Sequence, residues 1–213
     1  MMDARSKYVQ LASKWEEKSN IPMALLGLVY LGTYTAQVLN KENLTLVYQL
    51  EIVSVALWVV FAADVLIRLI FSKNVKAFVK SSWLEILALT LPFLRVLRVF
   101  RAVIGLRGIK GFVKNRVNAT AAYVVMLVPL TWFTGGIAVL DAESNSPDAI
   151  ISTLREALWW SLATITTVGY GDKYPTTIEG QLVAAVLMLT GIALFSAGAG
   201  MFASWILADK KKS

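Results

Sequence analysis

The 213-residue sequence contains neither cysteine nor histidine. This absence excludes disulfides, thiol catalysis, histidine metal sites and cysteine-ligated clusters, and it leaves no side chain that ordinarily titrates near neutral pH. Charged residues are also scarce, at 16% of the chain against roughly 25% in soluble domains. Hydrophobic residues make up 57% of the sequence, and that much apolar surface indicates a protein that lies in a membrane.

Apolar runs long enough to cross about 30 Å of hydrocarbon occur six times, and they predict an all-α membrane protein. The predicted spans are 21–39, 44–71, 75–91, 93–113, 119–140 and 178–207. A shorter run over 152–165 predicts a re-entrant helix between the last two spans. The first apolar run has no small-residue cleavage site after it, so we interpret it as a retained helix and not as a signal peptide.

The net charge of +7 is distributed unevenly over this topology. Segments on one side hold twelve basic and four acidic residues, whereas segments on the other side hold three basic and seven acidic residues. Because Lys and Arg accumulate in cytoplasmic loops, both termini are predicted to be cytoplasmic in a multi-pass protein of the cell membrane. This bias accounts for the positive charge without nucleic acid as a partner. Nine charged residues remain at membrane depth, where charges usually have a function.

Residues 94–114 read LRVLRVFRAVIGLRGIKGFVK, with a basic residue at nearly every third position. The basic residues of this ladder are Arg95, Arg98, Arg101, Arg107 and Lys110, and Ile104 stands where a further charge would continue the series. Positions three apart form a slowly winding stripe on a helix. The pattern favours a voltage-sensing helix, and an amphipathic helix on the cytoplasmic membrane surface is the alternative.

Acidic residues at membrane depth offer partners for this ladder, because an unpaired charge there costs about 3 kcal/mol or more. They are Glu51, Asp64 and Glu85. The stretch FAADVLIR, residues 61–68, resembles the charge-transfer centre of voltage-sensor domains. The resemblance implies that Phe61 is an aromatic plug and that Asp64 receives each arginine as it passes. Glu85 occupies a place where that family usually carries Asp, and an interfacial position is the alternative for it.

Residues 158–175 read LWWSLATITTVGYGDKYP, which resembles the selectivity filter of potassium channels. Glycines at alternate positions permit backbone angles that other residues avoid, so successive carbonyls can point to one side. The predicted filter comprises Thr166, Thr167, Val168, Gly169, Tyr170, Gly171 and Asp172. The resemblance implies that the carbonyls of 167–170 replace the hydration shell of K+. One chain supplies one strand of such a filter, so a homotetramer is expected.

Residues around the filter have supporting roles in the same resemblance. Trp159 and Trp160 would form an aromatic cuff behind the filter, and membrane-interface anchoring is the alternative for this pair. Trp160 would lie against Tyr170, and Asp172 would form a hydrogen bond with Trp159. Ala163 departs from family members that carry Glu at this place, which removes the basis for an inactivation mechanism that depends on a Glu–Asp pair.

The last predicted span carries the expected gate. Gly191 stands where similar channels have a hinge glycine, and close helix packing is the alternative for it. By position in the resemblance, the residues that line the cavity are Ile192, Phe195, Ala199 and Ala203. Thr176 and Thr177 are predicted to cap this helix. Quaternary ammonium ions are candidate pore blockers.

The resemblance covers nearly the whole chain and implies a prokaryotic six-transmembrane voltage-gated potassium channel. A four-helix sensor bundle would precede a two-helix pore module with a re-entrant pore helix. The predicted parts are an amphipathic cytoplasmic segment (1–20), a voltage-sensor domain (21–113), a sensor–pore linker (105–118), a pore domain (119–208) and a cytoplasmic tail (209–213). Depolarisation would move the ladder and open the inner helices. Membrane lipids and permeant K+ are the expected partners, and no cofactor is expected.

Other functions fit the sequence less well. A potassium channel with a vestigial or modulatory sensor is the nearest alternative, because the ladder has a gap and 105–111 contains three glycines. A retinal protein would need a lysine inside the last span, where none occurs between Lys173 and Lys210. A membrane enzyme is disfavoured because no cysteine or histidine is present to act as nucleophile or base. A sodium or calcium channel would need a different filter.

Overall fold

A computed structural model of the chain describes residues 4–72, 74–82, 86 and 116–210. In these ranges there are six helices: α1 (Ala4–Leu39), α2 (Leu44–Ile70), α3 (Val75–Ser81), α4 (Arg116–Glu143), α5 (Leu154–Ile165) and α6 (Ile178–Lys210). The chain divides into two compact units, Met1–Gly111 and Phe112–Ser213. The first unit therefore contains α1 to α3, and the second contains α4 to α6.

Four of the described helices are long and apolar enough to cross a membrane. Their candidate spans are Ile21–Leu39, Leu44–Ile70, Val125–Glu143 and Ile178–Leu207, and their ends lie within six residues of those of four of the six predicted spans. The predicted third span is described at 75–82 and 86, where α3 is a helix of seven residues. The predicted fourth span, 93–113, lies outside the described residues.

In the first unit, α1 and α2 form a helical hairpin with a turn at 40–43. The side chain of Asn43 caps α2 by accepting a hydrogen bond from the Leu46 N–H at 3.1 Å. The helix α1 continues without a break through Pro22, so the predicted boundary at residues 20 and 21 is not a helix boundary. The N-terminal segment and the first span are one rod.

The core of the first unit lies between the two long helices. Leu57, Phe61 and Val65 follow one another at intervals of four and therefore form one stripe on α2. Tyr30 of α1 packs onto this stripe, and its ring meets the Phe61 ring edge-on, with 6.5 Å between centroids. This apolar layer lies one turn from Asp64, so it positions the acid that the sequence singled out.

In the second unit, the short helix α5 lies against both long helices α4 and α6. The Trp132 indole N–H of α4 donates to the Leu158 carbonyl of α5 at 2.8 Å, and the Ser161 hydroxyl of α5 donates back to the Trp132 carbonyl at 3.0 Å. This reciprocal pair of hydrogen bonds fixes the position of α5 along α4. A helix of 12 residues is too short to cross a bilayer, which agrees with the predicted re-entrant helix.

Several hydroxyl side chains within the long apolar helices donate to main-chain carbonyls of their own helix. Examples are Thr33 to Tyr30, Thr134 to Leu130, Thr190 to Val186 and Ser196 to Ile192, at 2.7–2.8 Å. Hydrocarbon offers no water as a hydrogen-bond partner, so a polar side chain there needs a partner in the protein. These contacts let the helices carry hydroxyls without an unsatisfied donor.

Candidate functional site

The loop that follows α5 has an alternating backbone conformation. Thr167, Gly169 and Gly171 have φ angles of 60°, 58° and 78°, all in the left-handed region. Left-handed residues at every second position turn successive carbonyls toward one side of the strand. Glycine adopts this conformation freely, whereas a β-branched residue such as Thr167 is strained in it by about 1–3 kcal/mol. Gly169 and Gly171 therefore have the left-handed conformation expected of alternating glycines, and the role of the loop as a filter stays a prediction.

Main-chain hydrogen bonds fasten this loop to the end of α5. The Val168 and Gly169 N–H groups both donate to the Ala163 carbonyl, at 2.9 and 3.1 Å, and the Thr167 N–H donates to Thr164. The helix ends at Ile165, directly before the loop. The carboxyl end of a helix carries partial negative charge, so α5 directs a potential that favours cations toward the start of the filter.

Trp159 contacts two residues of the predicted filter. Its ring stacks on the Tyr170 ring with 5.3 Å between centroids and an interplanar angle of 8°. Its indole N–H donates to Asp172 Oδ2 at 2.8 Å, which is the hydrogen bond that the resemblance implied. We expected Trp160 against Tyr170, but within one chain the stacked ring is that of Trp159. Adjacent residues on a helix point about 100° apart, so Trp160 is turned into the interior and is buried.

A salt bridge joins the start of α5 to the loop beyond the filter. The Lys173 ammonium group donates to Glu156 Oε1 at 2.6 Å and to the Ile150 carbonyl at 2.9 Å. Glu156 also completes a capping box with Thr153 at the start of the helix. The Lys173 ammonium, and then the Ser152 and Thr153 N–H groups, lower the pKa of Glu156 to about 2. Glu156 is therefore ionised across the physiological pH range.

A second acid fixes the other end of the filter loop, and the sequence had placed it only among the external charges. Glu143, the last residue of α4, is 0% exposed. Its two carboxylate oxygens each accept from one main-chain N–H at 2.9 Å and one hydroxyl at 2.6 Å, from Thr176 and Thr177 respectively. Thr177 also caps α6 by accepting from the Gly180 N–H at 3.0 Å, as predicted. Thr176 and Thr177 lie 33 and 34 positions after Glu143, so no local sequence pattern reveals this contact.

Gly191 of α6 lies directly against the end of α5. A Cβ atom at this position would be 2.6 Å from the Ile165 carbonyl oxygen and 3.1 Å from its Cα, which is closer than real contacts allow. This geometry supports the packing alternative for Gly191, and its role as a hinge stays a prediction. The predicted cavity residues Ile192, Phe195, Ala199 and Ala203 are all exposed in the single chain.

In the first unit, two of the predicted charge-transfer residues of α2, Phe61 and Asp64, lie in the interior. Phe61 is 1% exposed and Asp64 is 4% exposed. Arg68, one turn further along, donates from Nε to Asp64 Oδ2 at 2.9 Å, and its guanidinium lies over the Phe78 ring at 5.8 Å. Glu51 is exposed. Five basic residues of the ladder and Glu85 lie outside the described residues.

The second unit matches a known protein family. A family model described as "Ion channel" matches residues 122–208. The chain carries an ion-channel pore domain. This pore domain includes most of α4, all of α5, the filter loop and α6 as far as residue 208. The match makes residues 122–208 similar to ion channels, and the four long apolar helices indicate a multi-pass membrane protein.

Relatives of the chain are potassium channel proteins of voltage-gated type. "Potassium voltage-gated channel subfamily KQT member 3" of Rattus norvegicus is 43% identical over 65 residues, which are 30% of this chain and 7% of that protein. A "Voltage-gated potassium channel" of Aeropyrum pernix is 42% identical over 66 residues, 31% of this chain and 22% of that protein. "Voltage-gated potassium channel regulatory subunit KCNG3" of Rattus norvegicus is 26% identical over 212 residues, 92% of this chain and 46% of that protein. The chain thus spans less than half the length of each of these relatives.

Proposed function

We propose that the chain forms a voltage-gated, potassium-selective channel of the prokaryotic six-span type, with both termini in the cytoplasm. The observation that carries this proposal is the alternating left-handed backbone at Thr167, Gly169 and Gly171 within the sequence TTVGYGD. A row of carbonyls on one side of a strand is the ligand set that replaces the hydration shell of a dehydrated K+. The voltage-gated relatives support the same function.

Conduction would require four copies around one axis. A single loop presents one row of carbonyls, and a closed ring of ligands needs the same row from each subunit of a homotetramer. Val168, Tyr170 and Phe195 are exposed in one chain, and assembly around the axis would cover such surfaces or turn them toward the ion pathway. The carboxyl ends of the four α5 helices, which carry partial negative charge, would then converge on the axis.

Gating would come from the first unit. The ladder of residues 95–110 would move past Phe61 and Asp64 when the membrane depolarises, and this movement would open the inner ends of the α6 helices. One elementary charge moved through 100 mV is worth about 2.3 kcal/mol, so three or four charges in each of four subunits supply on the order of 30 kcal/mol. That bias exceeds the few kcal/mol that separate conformations of most switching proteins.

A potassium channel with a merely modulatory sensor is the second candidate. It is favoured by the Arg68–Asp64 salt bridge, in which both side chains are less than a tenth exposed. Asp64 already has a cationic partner on its own helix, so a ladder arginine would find the acid partly neutralised. A gap at Ile104 and the glycines of 105–111 would further weaken coupling to the gate.

Reconstitution of the purified protein in planar bilayers tests both candidates. With K+ on one side and Na+ on the other, we expect the reversal potential of a membrane that is permeable almost only to K+. Equal permeabilities for the two ions would reject the filter assignment. A voltage series separates the candidates, since open probability should rise steeply with depolarisation if the ladder gates the pore. Gly169→Ala should abolish selectivity because Ala disfavours the left-handed conformation, whereas Gly198→Ala, with open space around its Cβ, is the matched control.

A further inference from the structure

The amino-terminal part of α1 makes a direct contact with the acid of the charge-transfer centre. The Trp15 indole N–H donates to Asp64 Oδ1 at 3.0 Å, across 49 residues of sequence. The sequence pattern had assigned Trp15 to an amphipathic helix on the inner membrane surface. The contact instead joins it to the buried face of α2.

The two oxygens of Asp64 have different partners. Oδ1 accepts from the neutral indole of Trp15, and Oδ2 accepts from the charged guanidinium of Arg68 at 2.9 Å. A carboxylate has about four lone-pair sites, so each oxygen keeps one further site for an incoming donor. Both partners are long side chains that can rotate away.

The hairpin of α1 and α2 explains why these distant residues meet. The two helices are antiparallel about the turn at 40–43, and Trp15 lies about as far before that turn as Asp64 lies after it. The remaining offset of a few residues, at 1.5 Å per residue, is within the reach of a tryptophan side chain. The unbroken helix through Pro22 holds Trp15 at this level.

We infer that Trp15 is a positioning residue of the charge-transfer centre, whose indole N–H competes with ladder arginines for Asp64 and so sets how long each arginine is held there. This inference rests on the proposed voltage-sensing function. A neutral donor on Oδ1 occupies one of its two lone pairs without adding charge, so the acid attracts a passing guanidinium less strongly. Weaker retention lets the ladder move faster in both directions.

Trp15→Phe keeps the ring and removes the donor, and it should lengthen the time constants of both activation and deactivation. A hydrogen bond to a charged acceptor justifies an expected slowing of about tenfold. In an Asp64→Asn background the same substitution should change neither time constant, because the charged acceptor is gone. Slowing of equal size in that background would overturn the inference, since it would reflect lost packing.

Trp15→His makes the time constants depend on pH if the donor at this position matters, whereas a packing role predicts no such dependence. The new histidine would be the only one in the sequence. The described contacts bring two charged groups of α2 to this position, Asp64 and Arg68. The charged residues near position 15 on α1 itself are Lys14, Glu16, Glu17 and Lys18. Neutral imidazole, above about pH 7.5, should keep time constants near those of the wild type. Imidazolium, below about pH 6, should compete more strongly for Asp64 and shorten them. Time constants independent of pH would overturn the inference.

The recordings also separate this inference from the function on which it rests. A wild-type channel whose open probability is flat with voltage overturns the proposed voltage sensing and this inference together. A voltage-dependent wild type with unchanged kinetics in Trp15→Phe overturns this inference alone. Slowed activation and deactivation, lost in the Asp64→Asn background, support it.

Discussion

Removing the buried carboxylate at the end of α4 should destabilise the pore domain strongly. Glu143 is fully buried and accepts four hydrogen bonds, two from main-chain N–H groups and two from hydroxyls. The main-chain donors belong to Thr176 and Thr177, directly before α6, and Thr177 caps that helix. Helix starts leave their first N–H groups without partners inside the helix, and a negative charge there also complements the helix dipole.

The magnitude follows from what each substitution leaves behind. Glu143→Ala leaves two half-buried main-chain donors without an acceptor, and at about 1–3 kcal/mol for each unsatisfied donor we expect a cost on the order of 4 kcal/mol. Glu143→Gln keeps the shape but turns an amide N–H₂ toward one pair of donors. The hydroxyl of that pair can rotate and accept, but the main-chain N–H cannot, so we expect a cost of about 1–3 kcal/mol.

Thermal unfolding of the purified protein in micelles measures both costs. For a chain of this length, 1 kcal/mol shifts the Tm by about 2–4 °C, so we expect decreases of about 10 °C for Glu143→Ala and about 5 °C for Glu143→Gln. Glu179→Gln is the matched control, because Glu179 is an exposed acid in the first turn of α6. The reasoning is refuted if the control lowers the Tm as much as Glu143→Gln, or if both Glu143 variants stay within about 1 °C of the wild type.

Two further predictions concern the contacts on either side of the filter. Gly191→Ala should lower the Tm by several degrees because the new Cβ overlaps the Ile165 carbonyl. The control Gly198→Ala should leave the Tm unchanged or raise it. Unaltered stability and gating in Gly191→Ala would reject both the packing role and the hinge. The pKa of Glu156 is lowered to about 2, below its ordinary value of 4.5, so its salt bridge with Lys173 stabilises the protein above about pH 4.5 and is lost as the pH falls toward 2. Lys173→Met should therefore lower the Tm at pH 7 and converge with the wild type near pH 2, and an equal difference at both pH values would contradict this.

Local sequence patterns predicted the elements of the pore domain well. Long apolar runs fixed α4 and α6 to within three residues, and the predicted re-entrant helix matches α5 to within two. Glycines at alternate positions predicted the filter backbone, because glycine is the residue that adopts left-handed angles freely. These features depend on neighbours in sequence, which a single sequence reveals.

Contacts between distant segments were harder to predict. Neither the Trp15–Asp64 nor the Glu143–Thr177 hydrogen bond has a periodic signal, since each joins residues more than 30 positions apart. The predicted topology places Glu143 only among the acidic residues outside the spans. The structure buries it because the segment directly before α6 supplies two main-chain and two hydroxyl donors.

The two buried acids differ in the kind of donor that holds them, and this difference bears on how each can act. Glu143 is held in part by main-chain N–H groups of Thr176 and Thr177, which cannot leave unless the backbone directly before α6 moves. Asp64 is held by side chains alone in the described contacts, Trp15 and Arg68, and each can withdraw by a change of rotamer. An acid that exchanges partners needs donors of the second kind, whereas an acid that fixes a filter needs the first. We therefore expect voltage to change the partners of Asp64 while those of Glu143 stay constant.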